Sequence, residues 1–135
     1  MIPALGHSNF KIEDGTMEFG VGHHGEAGTK VEKLKSASEM AQEMAETILN
    51  DFDFEEGKEV AVMLSGLGAT PVMELYVLYD EVEKVLAKAG HKVWKTYIGN
   101  YVTSLDMNGA SLTIVDLDDE IKELLSEPAV PIGMK

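Results

Sequence analysis

The chain has 135 residues and a formal net charge of −13, with 24 acidic residues against 11 basic ones. Every basic residue is a lysine, so no guanidinium group is available for bidentate recognition of phosphate. The negative charge disfavours nucleic acid and anionic membrane surfaces as partners. The absence of cysteine excludes disulfides and thiolate metal sites.

The length predicts a single domain spanning residues 1–135. No apolar run reaches the roughly 18 residues that a membrane-spanning helix needs, and the start of the chain lacks a secretory signal pattern. We therefore expect a cytoplasmic location.

The first predicted element is a β-hairpin. Residues 10–12 and 17–21 alternate between apolar and polar or small side chains, and Glu13-Asp14-Gly15 between them is typical of a tight turn. The hairpin is expected to lead into a glycine-rich loop, and the lysine-rich residues 29–35 are expected to be exposed.

A helix and a buried strand follow. Ser36 or Ser38 can cap the helix, with Glu39 in its first turn, and apolar side chains then recur at i, i+4 spacing until Asn50. Residues 59–64 form a mostly apolar run that is typical of a buried strand.

The second half of the chain continues the alternation of helices and strands. Thr70 is the predicted N-cap of a second helix, with Pro71 at its first position, and the helix is expected to end at Ala89-Gly90. The elements after it are a strand over 92–98, an irregular loop over 99–109, a strand over 111–115 and a short helix over 120–125. This order predicts an α/β layer fold in which the hairpin makes the sheet mixed.

The segment Gly20-Val21-Gly22-His23-His24-Gly25-Glu26-Ala27-Gly28 is the strongest candidate for a functional site. Glycine lets the backbone approach a ligand closely, and a neutral imidazole is a nucleophile, a base or a metal ligand. Adjacent side chains of an extended loop point to opposite sides, so His23 and His24 are poorly placed to share a metal ion. We expect no metal here, and spacing alone leaves a functional imidazole and a solvated one equally favoured.

Three other polar segments have structural explanations. The segment 65–70 could present helix N-terminal amides to an anion, although a tight turn with a good cap explains it better. The loop residues 103–106 carry two hydroxyls and a carboxylate without an adjacent histidine, which favours local turns over a hydrolase triad. Acidic residues at 116–120 fit the start of a helix better than a calcium loop.

Several motifs together resemble one protein family. Residues 17–28 resemble a segment of the substrate-binding subunit of dihydroxyacetone (glycerone) kinases. Residues 66–79, 99–109 and 111–120 continue the resemblance in order, and it extends from Pro3 to about Pro131. The part of the family that is matched is its C-terminal domain only.

The resemblance implies a fold and a chemistry. The fold would be a two-layer β/α domain with a mixed sheet of about five to six strands and an N-terminal hairpin. His24 would bind the substrate carbonyl covalently as a hemiaminal, and Gly22, Gly25 and Glu26 would support the substrate loop. His23 and Ala27 depart from the family pattern, which usually has an apolar residue and a proline at these positions.

The resemblance also implies partners. The chain begins where the longer family chain is in its interior, so an N-terminal-half partner chain would supply a second substrate loop and a general base. No cofactor is expected in this chain. The phosphoryl donor (ATP/ADP or a phosphotransferase system) would lie on a partner, such as a nucleotide-binding kinase subunit, and the chain is not expected to be active alone.

Three functional hypotheses follow. The chain is one half of a split kinase subunit, or a non-catalytic ketose-binding or regulatory module, or a gene remnant or scaffold that dimerises. The third hypothesis predicts a homodimer, because the loss of a covering half exposes apolar surface.

Overall fold

The computed structural model describes residues 4–8, 11–55 and 57–132. These ranges contain five strands and three helices, which confirms the predicted mixed α/β class. In chain order they are β1 Thr16–Phe19, β2 Lys30–Lys33, α1 Ala37–Asp51, β3 Glu59–Gly66, α2 Val72–Lys88, β4 Lys92–Gly99, β5 Ala110–Asp116 and α3 Asp119–Ser126. None of the helices in these ranges combines the length and apolar character needed to cross a bilayer.

The main sheet is mixed and smaller than predicted. Its order is β4-β3-β5, with β3 parallel to β4 and antiparallel to β5. In the described part of the chain the other two strands form a separate sheet, so the expectation of five to six strands in one sheet is wrong. The prediction counted the hairpin strands into that sheet, whereas among the described residues β1 and β2 pair as strands only with each other.

The hairpin also uses different strands from those predicted. β1 pairs antiparallel with β2, from Thr16 opposite Lys33 to Phe19 opposite Lys30. Residues 11–13 are not a strand, and Phe10 lies outside the described residues. The predicted turn at 13–15 does form, since Gly15 has φ +75° and the Thr16 amide donates to the Glu13 carbonyl at 3.1 Å, but it only leads into β1.

The core lies between one face of β3 and the two longer helices. Side chains of a strand alternate between faces, so Val60, Val62 and Leu64 point the same way, and all three are fully buried. The helical residues that bury against them are Ala41 from α1 and Leu75, Leu78, Val82 and Leu86 from α2. This packing places α2 against β3 and β4, and α1 against α2 and β5.

The helix starts show which local signals were sufficient. Ser36 caps α1 in a capping box, in which the Glu39 amide donates to Ser36 Oγ at 3.3 Å and the Ser36 amide donates to Glu39 Oε2 at 2.9 Å. The Ser36 hydroxyl, which donates to Glu39 Oε2 at 2.6 Å, and the Ser36 amide both lower the pKa of Glu39. The prediction for α2 is wrong by one residue, because Pro71 is its N-cap and Thr70 hydrogen-bonds elsewhere.

Candidate functional site

The histidine segment is the loop that joins the two strands of the hairpin. Residues 20–29 connect β1 to β2, and the Thr29 amide closes the base of the loop by donating to the Phe19 carbonyl at 2.8 Å. The Lys30 ammonium lies 5.3 Å from the centroid of the Phe19 ring on the same base. The loop is therefore presented by a paired, ordered stem.

His24 projects from this loop into solvent. Its side chain is 91% exposed, against 63% for Glu26. The His24 amide donates to Glu26 Oε2 at 3.0 Å, and Nδ1 of the ring lies 3.7 Å from Glu26 Oε1. One carboxylate thus holds the backbone of His24 and also faces one nitrogen of its ring.

The glycines allow this compact arrangement. The Gly22 amide donates to the Glu26 carbonyl at 3.0 Å, and the Gly25 amide donates to the Gly22 carbonyl at 3.2 Å. Gly25 has φ +93°, a conformation that side-chain-bearing residues rarely adopt, and a Cβ at Gly22 would collide with the Glu26 side chain. Gly22, Gly25, Glu26 and His24 are thus brought together within one short turn.

The C-terminal arm of the loop, next to its base, is held by a glutamate of β1. The Gly28 amide donates to Glu18 Oε1 at 2.8 Å, and a Cβ at position 28 would lie 2.5 Å from Glu18 Cγ. His23 is exposed, and no hydrogen bond or ion pair among the described residues holds its ring. In the same ranges no group of three histidine, aspartate or glutamate side chains is placed to hold a metal ion.

A second group of motifs meets at the end of β3. The buried hydroxyl oxygen of Ser65 accepts hydrogen bonds from the backbone amides of Tyr101 and Val102, at 3.0 and 3.1 Å. Thr70 Oγ1 donates to the Gly109 carbonyl at 2.7 Å and accepts from the Gly109 amide at 2.8 Å. The segments 65–70 and 99–109 therefore form one platform.

Sequence reasoning missed the role of Ser65. A serine inside an otherwise apolar buried strand is the signal that could have found it, because a buried hydroxyl requires partners. The hydrogen bonds of the histidine loop described above stay within the hairpin, and those of Ser65 and Thr70 stay within the platform. The structure therefore joins two of the sequence motifs and leaves the third on its own hairpin.

The fold and these motifs define the class of protein. Residues 1–132 match the Dak1 domain, and the chain belongs to that family. The resemblance to dihydroxyacetone kinase substrate-binding subunits is thereby confirmed.

Individual relatives refine this assignment. The chain is 38% identical over 127 residues to the dihydroxyacetone-binding subunit of PTS-dependent dihydroxyacetone kinase 2 of Listeria innocua, covering 94% of this chain and 38% of that one. It is 38% identical to a D-erythrulose kinase of Mycolicibacterium smegmatis, covering 95% of this chain and 22% of the relative. It is also 32% identical to a DhaKLM operon coactivator of Lactococcus lactis, and the match covers 83% of this chain and 35% of the coactivator.

Solved structures agree with the fold. A dihydroxyacetone kinase operon co-activator superposes with a TM-score of 0.83 at 30% identity, covering 90% of this chain and 38% of that one. The dihydroxyacetone kinase of C. freundii, in complex with AMP-PNP and Mg²⁺, superposes with a TM-score of 0.76 at 27% identity. The match covers 87% of this chain and 21% of the kinase chain. The chain thus spans less than half the length of the proteins it resembles.

Proposed function

We propose that this chain is the dihydroxyacetone-binding part of a dihydroxyacetone kinase and that it holds a small ketose as a hemiaminal on His24. The observation that carries the proposal is the exposed His24 ring, set at the tip of a hairpin loop with Glu26 beneath it. The Dak1 family and the dihydroxyacetone-binding relatives support the choice of substrate.

The proposed addition balances without any other reagent. The ring nitrogen that lacks a hydrogen attacks the ketose carbonyl carbon, and the carbonyl electron pair moves to oxygen. The other ring nitrogen gives up its proton, and the oxygen is protonated to a hydroxyl. Glu26 Oε1 faces Nδ1 and favours the tautomer with hydrogen there, so Nε2 is the attacking nitrogen.

This chemistry would select the substrate class. Only a ketone or an aldehyde can add to an imidazole, so glycerol would be rejected by its lack of a carbonyl. The covalent bond would also orient a terminal hydroxyl for phosphoryl transfer, which gives an entropic advantage. Relatives that are erythrulose kinases indicate that four-carbon ketoses belong among the candidates.

The rest of the kinase would lie outside these 135 residues. We propose an N-terminal-half partner that supplies the general base and a nucleotide-binding or phosphotransferase-fed subunit that supplies the phosphoryl group. The described residues contain no arginine to bind a phosphoryl group, which agrees with a donor held elsewhere.

Intact-protein mass spectrometry tests the adduct. Incubation with dihydroxyacetone should raise the mass by one whole ketose, because addition loses no atoms. The His24→Gln variant should show no increase, and His23→Gln, its matched neighbour in the same loop, should retain it. An adduct that survives in His24→Gln would disprove the assignment.

A second candidate function has its own support. An operon coactivator is matched both by sequence and by structure, so a ketose-sensing regulatory module is the alternative. It would bind ketose through the same histidine without turnover. Formation of ketose phosphate, when candidate donor and N-terminal partner chains are supplied, separates the two functions: turnover supports the kinase part, and binding without turnover supports the sensor.

A further inference from the structure

We propose that Glu43 on α1 is a positioning residue for the ketose-binding loop, because it ties the hairpin that carries His24 to the helical layer. The inference rests on the proposed function for its consequence in binding. Its structural basis, the contact between hairpin and helix, does not depend on that function.

Glu43 belongs to a closed ring of four charges. Its Oε1 binds the Lys30 ammonium, and its Oε2 lies 2.5 Å from the Lys35 ammonium. Glu32 completes the ring, with Oε1 3.1 Å from Lys30 and Oε2 2.8 Å from Lys35. Each carboxylate therefore contacts both ammonium groups, and the ring as a whole is neutral.

The four members come from three successive segments of the chain. Lys30 and Glu32 lie on β2, Lys35 lies in the connection before α1, and Glu43 lies two turns into α1. Lys30 is also the first residue after the histidine loop and packs over the Phe19 ring opposite it. The ion pair between Lys30 and Glu43 therefore holds the base of the histidine loop directly.

This ring is the polar link between hairpin and helix. Among the described residues, the Lys30–Glu43 contact is the hydrogen bond or ion pair that joins β1 or β2 to a helix. No apolar side chain of β1 or β2 belongs to the described hydrophobic core or packs against it. The placement of the hairpin thus depends on charge rather than on apolar burial.

The ring is more than an ordinary surface pair. The Glu43 side chain is 18% exposed, and Glu32 and Lys35 are close to one quarter exposed. Because one side chain serves two partners, the conformational entropy lost per contact is smaller than for isolated pairs. Screening by salt should nevertheless weaken it, since the Debye length falls to about 3 Å at 1 M salt.

The first experiment measures the position of the hairpin without ketose. The chain has no cysteine, so Ala27→Cys and Asn50→Cys give one specific spin-label pair between loop and helix. In the background of Glu43→Gln the distance distribution should broaden and gain a longer component. The matched control is Glu46→Gln on the same helix. The Glu46 carboxylate accepts a hydrogen bond from the side-chain amide of Gln42, so this variant should leave the distance distribution unchanged.

The second experiment measures dihydroxyacetone affinity in the unlabelled chain. Glu43→Gln should weaken binding on the order of fivefold, because the competent loop position is less populated, while Glu46→Gln binds as the parent does. Raising salt to 1 M should weaken the parent to the level of Glu43→Gln and change the variant little. A salt effect on affinity that is equally large in the parent and in Glu43→Gln would show that the ring does not set the affinity.

The outcomes are separable. Unchanged distances in Glu43→Gln, or equal changes in Glu46→Gln, would overturn the positioning role. A longer distance in Glu43→Gln with no ketose adduct on the parent would leave the positioning role in place and would refute the proposed function.

Discussion

Replacing Ser65 with alanine tests the platform that joins the end of β3 to the loop 99–109. The hydroxyl is buried and accepts from two backbone amides, those of Tyr101 and Val102. A buried donor left without a partner costs about 1–3 kcal/mol. Both amides lie at a part-buried site, so at least one of them is expected to lack a full replacement for the lost acceptor. We therefore expect the free energy of unfolding to fall by about 2 kcal/mol.

Urea unfolding followed by the fluorescence of the single tryptophan, Trp94, measures this change. Ser126→Ala is the control, because its exposed hydroxyl donates to the Lys122 carbonyl at the end of α3 and its loss should cost within about 0.5 kcal/mol. Amide exchange at Tyr101 should also accelerate in Ser65→Ala. A loss below about 0.5 kcal/mol, or no local acceleration, would refute the reasoning.

Two further predictions concern the loop and its attachment. Gly25→Ala and Gly57→Ala both place a side chain at positive φ, +93° and +81°, in open space, so calorimetry should show each losing about 1 kcal/mol of stability. Titration with dihydroxyacetone should show a lower affinity in Gly25→Ala and an unchanged affinity in Gly57→Ala. Equal affinities in the two variants would count against the loop as the binding site. Acid should release the hairpin: hydrogen bonds from Lys30 hold the pKa of Glu43 below its ordinary 4.5, and those from Lys35 do the same for Glu32. A depressed carboxylate pKa gives an attachment that is complete above 4.5 and lost as the pH falls through the lower folded value. The spin-label distance should therefore hold from pH 7 down to the ordinary pKa of 4.5 and lengthen only below it. Lengthening already at about pH 6 would contradict this origin.

Local signals in the sequence were enough to predict most of the helices and the central strand, β3. Ser36 followed by Glu39 is a complete capping signal, and α1 starts where it predicts. The apolar run from Glu59 forms β3, and most of its residues are buried, as the run predicts. Each of these features depends on residues within a few positions of one another.

Pairing over longer distances was not encoded locally. The partner of β1 is Lys30–Lys33, a polar segment with one apolar residue, so its strand character appears only when β1 lies beside it. Thr70 has the chemistry of a cap, yet its hydroxyl is taken by Gly109, 39 residues away. The same holds for the charge ring at Glu43, whose members are unremarkable as separate surface residues.

The site divides in the same way. The loop that carries His24 and its glycines could be predicted from the sequence, and the resemblance suggested the chemistry proposed for His24. The double contact of Glu26 with the amide and ring of His24 required coordinates, since the sequence places the two residues near each other without fixing a direction.

Carbon-13 NMR of dihydroxyacetone labelled at the carbonyl carbon tests the central claim most directly. On mixing with the chain labelled with nitrogen-15, the carbonyl signal should be replaced by that of a tetrahedral carbon coupled to a ring nitrogen of His24. Both features should disappear in His24→Gln and persist in His23→Gln. A carbonyl signal that stays unchanged at saturating protein, or coupling to any other residue, would contradict the account.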